Sequence, residues 1–181
     1  MDSTRQISYG LHSKPPALAF VGNSGTGKTT LLCGVLRILR SRGLRVGVIK
    51  HSGGFHVPDK PGKDSFRLRE AGATELVLGS KDATVFFGHH PGAEPEFERR
   101  MALLDPHLDL VLVESYRSAQ LPAIEVLRSG HSEAVKMRET ENLLAVAADF
   151  QPEGIAVPCL PLDEANQVAD FICRTVPALQ A

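Results

Sequence analysis

The sequence predicts an α/β fold, a three-layer and mostly parallel sheet with additional short strands in its second half. Short apolar runs, of the length of buried strands, alternate with amphipathic stretches of helical period. The first alternation also encloses a glycine-rich loop between a strand and a helix. At 181 residues and 43% hydrophobic, the chain can bury one sizeable core and is short for two. Residues 17–181 are therefore expected to form a single domain behind a flexible tail, 1–16. That tail is polar and lacks the apolar segment of a signal peptide or membrane anchor.

ALAFVGN, from Ala17 to Asn23, reads as a buried parallel strand ending in glycine. In the following KTTLLCGVLRILRSRG, Leu31, Leu32, Val35, Leu36 and Leu39 recur at helical spacing, and Gly43 is placed to stop the helix. LRVGVIK is a second buried strand and completes a βαβ unit, whose crossover is right-handed in nearly all proteins. Asp64 or Ser65 is placed to cap a short helix through FRLREAG, with Gly72 as its stop. TELVLGS and ATVFFG read as strands around a turn at Lys81 and Asp82, and EPEFERRMALL as a helix with Arg99 and Arg100 on its solvated face. LDLVLVES is the most strand-like run of the second half, entered by turn residues Asp105 and Asp109. AIEVLR, LLAVAAD and GIAVPCL are shorter strands, and DEANQVADFICRTV is a closing helix capped by Asp163.

The formal net charge is −1, but residues 1–72 carry +8 and residues 73–181 carry −9. The basic groups share their half with the glycine-rich loop, which suits a small anionic ligand better than a nucleic acid. No apolar run approaches the ~20 residues of a membrane span. Cys33, Cys159 and Cys173 show no CxxC spacing and are expected to be small core residues in a reducing compartment, so a soluble cytoplasmic protein is expected. The histidines lack zinc-type spacing, and His56, His89 and His90 are expected to be solvated or hydrogen-bonding. His51 differs, because with Lys50 it ends the second strand, on the edge where α/β sheets bind ligands.

The chemistry is concentrated in the loop. Gly22, Asn23, Ser24, Gly25, Thr26, Gly27, Lys28 and Thr29 fit G-x-x-x-x-G-K-[ST] at every fixed position, and Thr30 follows into the helix. Glycines are required because successive backbone N–H groups turn inward around a phosphate, where a Cβ would block the approach. The helix start adds the positive end of its dipole. Lys28 is expected to reach the β- and γ-phosphates and Thr29 to ligate Mg²⁺, which makes the sheet one of P-loop NTPase type. The acidic partner for the metal is Glu114, which ends the apolar run LVLVE and is costly to place there without a cation or hydrogen bonds. DKPGKDS, after the second strand, is expected to face the same ligand. Lys60, Lys63 and Arg67 would meet anionic groups and Asp59 or Asp64 would lie near Mg²⁺, on the expectation that this strand neighbours that of the phosphate loop.

GNSGTGKTTL, VGVIKH, DKPGKDSFRLREAGA, LVLVESYR and LPAIEVLR, in this order, closely resemble the molybdopterin-guanine dinucleotide biosynthesis protein B (MobB) family, from about Ala17 to the final helix. The resemblance implies a homodimeric, GTP- and Mg²⁺-binding accessory protein with weak GTPase activity. It also implies a partner, the molybdenum cofactor guanylyltransferase that joins GMP to molybdopterin, and contact with molybdopterin or its guanine dinucleotide. The chain departs from its relatives at Gly53, Gly54 and Val57, where they often carry histidines and acids, and in VESYR, where they often show VEGFK. Guanine preference follows from the resemblance alone. The usual [NT]KxD reader is absent, and Asp149 at the end of LLAVAAD is a candidate for the base contact, with a solvated strand-end acid as the alternative. A P-loop small-molecule kinase is the competing function, but it normally adds a mobile Arg-rich lid, and none is recognisable. A metallochaperone is disfavoured by the cysteine and histidine spacing.

Overall fold

The structure is a computed structural model that describes residues 14–51, 59–88, 97–116, 119–132, 134–137 and 142–177. The tail through residue 13, His56, His89, His90 and the first residues of EPEFERRMALL lie outside the described residues. The chain divides into two compact units, one of residues 1–51 and 100–181 and the other of residues 52–99.

The first unit is a six-stranded, all-parallel sheet built from β1 (Ala17–Val21), β2 (Val46–Lys50), β5 (Leu110–Glu114), β6 (Ala123–Val126), β7 (Leu143–Ala148) and β8 (Cys159–Pro161). Their order across the sheet is β2-β5-β1-β6-β7-β8. The mostly parallel α/β sheet with extra short strands is thus observed, but β5 inserts between β1 and β2. The strand that leads toward DKPGKDS is therefore not the neighbour of the phosphate-loop strand, contrary to the sequence expectation. GIAVPCL forms a strand only at its end, β8.

Alternation along each strand sorts side chains between the two faces. Leu18 and Phe20 of β1, Leu110 and Leu112 of β5, Ile124 and Val126 of β6, and Ala145 and Ala147 of β7 form one buried layer. The helices α1 (Lys28–Ser41) and α4 (Ala165–Thr175) pack on it through Leu31, Leu32, Val35, Leu39, Val168, Ala169 and Ile172. Gly34 allows the two helices to approach, since a Cβ there would come within 2.7 Å of Ala165 Cβ. Beyond α1, the Gly43 and Leu44 N–H groups donate to the Arg40 and Leu39 carbonyls, satisfying two of the orphan acceptors of the last turn. The α4 cap position is Glu164, with no side-chain cap bond, so Asp163 does not cap the helix.

On the opposite face, Leu104 and Leu108 pack over Gly47, where a Cβ would come within 2.6 Å of Leu108. Leu127, Val135, Leu143, Val146 and Ala148 form a second core cluster. Glu125, almost wholly buried on this face, is satisfied by the backbone N–H groups of Lys136 and Met137 at 3.0–3.1 Å. Cys33 is exposed, contrary to the expectation of a core residue, whereas Cys159 and Cys173 are half-buried and pack against the core clusters. Burial still pushes the Cys159 thiol above its ordinary pKa.

The second unit contains α2 (Asp64–Glu70) and an antiparallel pair, β3 (Glu75–Gly79) with β4 (Thr84–Gly88). The expected turn at Lys81 and Asp82 joins the two strands. The α2 cap position is Lys63, whose ammonium cannot accept a backbone N–H; Asp64 and Ser65 lie inside the helix, and the Ser65 hydroxyl donates to Asp59. Gly72 stops this helix as expected, its N–H donating to the Arg69 carbonyl. The short α3 (Phe97–Met101) begins in this unit, where Arg99 pairs with Glu75 at 2.5 Å. Arg100, the first residue after the division, stacks its guanidinium over Tyr116 and donates to its hydroxyl, so it is not simply solvated. Among the described residues no helix is long and apolar enough to cross a membrane.

Candidate nucleotide site

Because all six strands run the same way, their C-terminal ends meet along one edge of the sheet. Phe20, Glu114 and Lys50 stand in register on β1, β5 and β2. The phosphate-type loop begins one residue after β1. Gly22 has φ +146°, and a Cβ on it would meet the Val126 carbonyl oxygen at 2.4 Å, so the turn out of the sheet accepts no other residue. Gly27, in the left-handed region, is the cap position of α1, which opens at Lys28.

Inside this turn the side chains hold one another. Lys28, only 7% exposed, donates from Nζ to the Asn23 carbonyl at 2.6 Å, and the buried Thr26 hydroxyl donates to the same oxygen at 3.0 Å. The Thr29 hydroxyl donates to Glu114 Oε1 at 2.7 Å. The Lys50 ammonium lies 3.3 Å from that carboxylate oxygen and 3.5 Å from the Thr29 hydroxyl. Glu114 is 5% exposed and ends a strand whose other four residues are completely buried. A carboxylate in that position needs the compensation that a hydroxyl donor and an ammonium provide. The His51 ring lies 5.1 Å from that of Tyr116 in a tilted arrangement, and the His51 backbone N–H donates to the Glu114 backbone carbonyl, so the end of β2 and the residue after it both hold the end of β5.

Among the described residues no three His, Cys, Asp or Glu side chains cluster as a metal cage. Mg²⁺ beside a nucleotide takes only one or two protein oxygens and completes its octahedron with phosphate and water. One hydroxyl and one nearly buried carboxylate, 2.7 Å apart at the start of α1, are a hard-oxygen pair that fits this requirement.

Asp149 follows β7 on the same edge. Its carboxylate accepts the Ser129 N–H at 2.7 Å and lies 3.9 Å from the Arg128 guanidinium. Asp59, in the second unit, accepts from Ser65 at 2.8 Å and Arg69 at 3.1 Å, and its side chain is 8% exposed. Both of its oxygens are therefore engaged in closing its own loop onto α2. Lys60, Lys63 and Asp64 are exposed.

Sequence reasoning missed Arg128, His131, Ser132 and Lys136, which all touch the loop. His131 Nε2 is 2.6 Å from the Ser24 carbonyl, the Asn23 amide donates to the Ser132 hydroxyl at 3.0 Å, Lys136 Nζ donates to Asn23 Oδ1 at 2.8 Å, and Arg128 Nε donates to the Thr26 carbonyl at 3.4 Å. They lie about a hundred positions along the chain from the loop, and only the parallel pairing of β1 with β6 brings them there.

A parallel sheet with a glycine loop feeding a helix, a lysine folded into that loop, and an acid from the adjacent strand on the helix's threonine define a protein of the P-loop NTPase class. Residues 17–149 match the family described as Molybdopterin guanine dinucleotide synthesis protein B (MobB). The chain belongs to that family. It is 35% identical over 160 residues to the molybdopterin-guanine dinucleotide biosynthesis adapter protein of Escherichia coli K12, covering 87% of this chain and 91% of the relative. It is 33% identical over 168 residues to the protein of the same description from Haemophilus influenzae, covering 90% of each. The crystal structure of a molybdopterin-guanine biosynthesis protein B superposes with a TM-score of 0.69 at 27% identity, over 88% of this chain and 99% of the other. A MobB homologue from Bacillus stearothermophilus gives 0.68 at 25% identity, over 87% and 95%.

Proposed function

We propose that this chain is a GTP-binding adapter in the synthesis of molybdopterin guanine dinucleotide, acting beside the guanylyltransferase that joins GMP to molybdopterin. The observation that carries the reading is the Gly22–Thr29 loop with Lys28 folded into it and Thr29 bonded to Glu114. Family membership and the adapter description of the two bacterial relatives support the pathway. In this reading the loop N–H groups and Lys28 hold the phosphates, and Thr29 and Glu114 hold Mg²⁺, which when bound neutralises phosphate charge. Lys50 and His51 position Glu114. Asp149 meets the base, and the exposed Lys60, Lys63, Asp64 and Arg67 of the smaller unit are left to meet charged groups of the pterin or the partner.

Hydrolysis is slow, well under the ~1–100 s⁻¹ of kinases, because the sequence shows no recognisable arginine finger or water-positioning Gln, and Arg128, which does reach the loop, is engaged with the Thr26 carbonyl. The protein works in the cytoplasm as a homodimer, and a scattering mass near 19.5 kDa would remove the dimer. The test is calorimetry with Mg²⁺ and GTP or ATP, followed by dinucleotide synthesis with the purified guanylyltransferase. Binding that favours GTP and a stimulated synthesis are expected. No binding, or binding without any effect on the transferase, would contradict the adapter role.

A further inference from the structure

In a trans peptide the C=O and the following N–H point in opposite directions. A loop whose N–H groups converge on a phosphate therefore turns its carbonyls outward, and whatever grips those carbonyls sets the direction of the N–H groups. Here three loop carbonyls are gripped, those of Asn23, Ser24 and Thr26. The Asn23 carbonyl accepts from Lys28 and Thr26, the Ser24 carbonyl lies on His131, and the Thr26 carbonyl accepts from Arg128. The last two contacts come from one turn, Arg128 to Ser132. It is closed by reciprocal backbone bonds between Arg128 and Ser132 at 3.1 and 2.8 Å, and its Ser129 N–H is tied to Asp149 at 2.7 Å. A carbonyl oxygen can only accept, so His131 must carry its proton on Nε2. The imidazole is so close that a Cβ on Gly25 would lie 2.5 Å from that nitrogen.

We infer that the Arg128–Ser132 turn is a backing element for the phosphate loop and that His131 is a positioning residue. By holding the Ser24 carbonyl outward, it fixes the Gly25 N–H toward the bound phosphates. This inference rests on the nucleotide-binding reading above. It assigns to His131 no contact with substrate and no proton transfer, only the orientation of one peptide. The neighbouring Asn23 side chain is held by Ser132 and Lys136, so four residues of the segment after β6 bond to the loop.

The test compares wild type, His131→Ala and His131→Gln by calorimetry with Mg²⁺·GDP and Mg²⁺·GTP, with thermal melts run in parallel. Loss of the one bond in H131A is expected to weaken both nucleotides by about tenfold, the scale of a single hydrogen bond. H131Q, which keeps an N–H donor of similar reach, is expected to recover most of the affinity, with melting temperatures unchanged. The inference is overturned if H131A binds within twofold of wild type, or if a folded H131Q is as weak as H131A. Failure of wild type itself to bind either nucleotide would instead sink the nucleotide-site reading on which it rests.

Discussion

The two compact units of this chain differ in how much of their elements they bury. In the six-stranded unit Glu114, Glu125 and Lys28 are buried, and each is met by a partner: Glu114 by the Thr29 hydroxyl, Glu125 by the Lys136 and Met137 N–H groups, and Lys28 by the Asn23 carbonyl. In the smaller unit α2 buries no residue, β3 and β4 leave Val77 61% and Phe86 36% exposed, and the charged contacts are the pairs of Asp59 with Arg69 and Glu75 with Arg99 and the Arg69 guanidinium over Phe87 at 5.1 Å. A site that must hold phosphate and metal to a few tenths of an ångström belongs on the first kind of scaffold. A two-stranded pair is marginally stable by itself and suits an element that orders on a ligand or partner.

The largest effect that would break this comparison is on binding. Lys28→Ala is expected to lower nucleotide affinity by roughly 100-fold, because it removes a charge-assisted contact to the phosphates. Lys60→Ala with Lys63→Ala is expected to cost far less, and calorimetry of both variants would reveal a reversal. Next comes stability. Leu39→Ala, at a fully buried position between α1 and the sheet, should cost about 2–5 kcal/mol in urea unfolding, whereas Leu68→Ala on exposed α2 should stay within about 0.5 kcal/mol.

Much of the six-stranded unit was legible in the sequence because its signals are local. The loop spacing, the helical period of Leu31 to Leu39 and the apolar run ending at Glu114 each specify an element without reference to the rest of the chain. The strand order was not legible. Nothing in LRVGVIK says that β5 will pair with it and separate it from β1, and the placement of DKPGKDS beside the phosphate loop depended on that adjacency. The turn bearing His131 was missed for the same reason, since RSGHS is an ordinary polar turn until β6 carries it to the loop. The cap residues failed on position: Ser65 is a good cap by type, yet it lies inside α2 and its hydroxyl goes to Asp59.

Two smaller effects sharpen the contrast. Asp59→Asn weakens the pair with Arg69 and is expected to loosen only the smaller unit, by about 1 kcal/mol, seen as faster amide exchange over residues 64–70 with no change in β1 or β5. Ser115 sits at φ +65°, a left-handed conformation that a glycine adopts without steric cost. Ser115→Gly should therefore raise the stability of the larger unit by no more than about 1 kcal/mol, with nucleotide affinity unchanged, as judged by urea melts and calorimetry.

Amide hydrogen exchange with and without Mg²⁺·GTP tests most directly whether the six-stranded unit alone builds the site. Slowed exchange is predicted in Gly22–Thr29, at the end of β5 around Glu114 and in the Arg128–Ser132 turn, with any protection of residues 59–70 weaker. Protection confined to residues 59–70, with the loop after β1 unchanged, would contradict it.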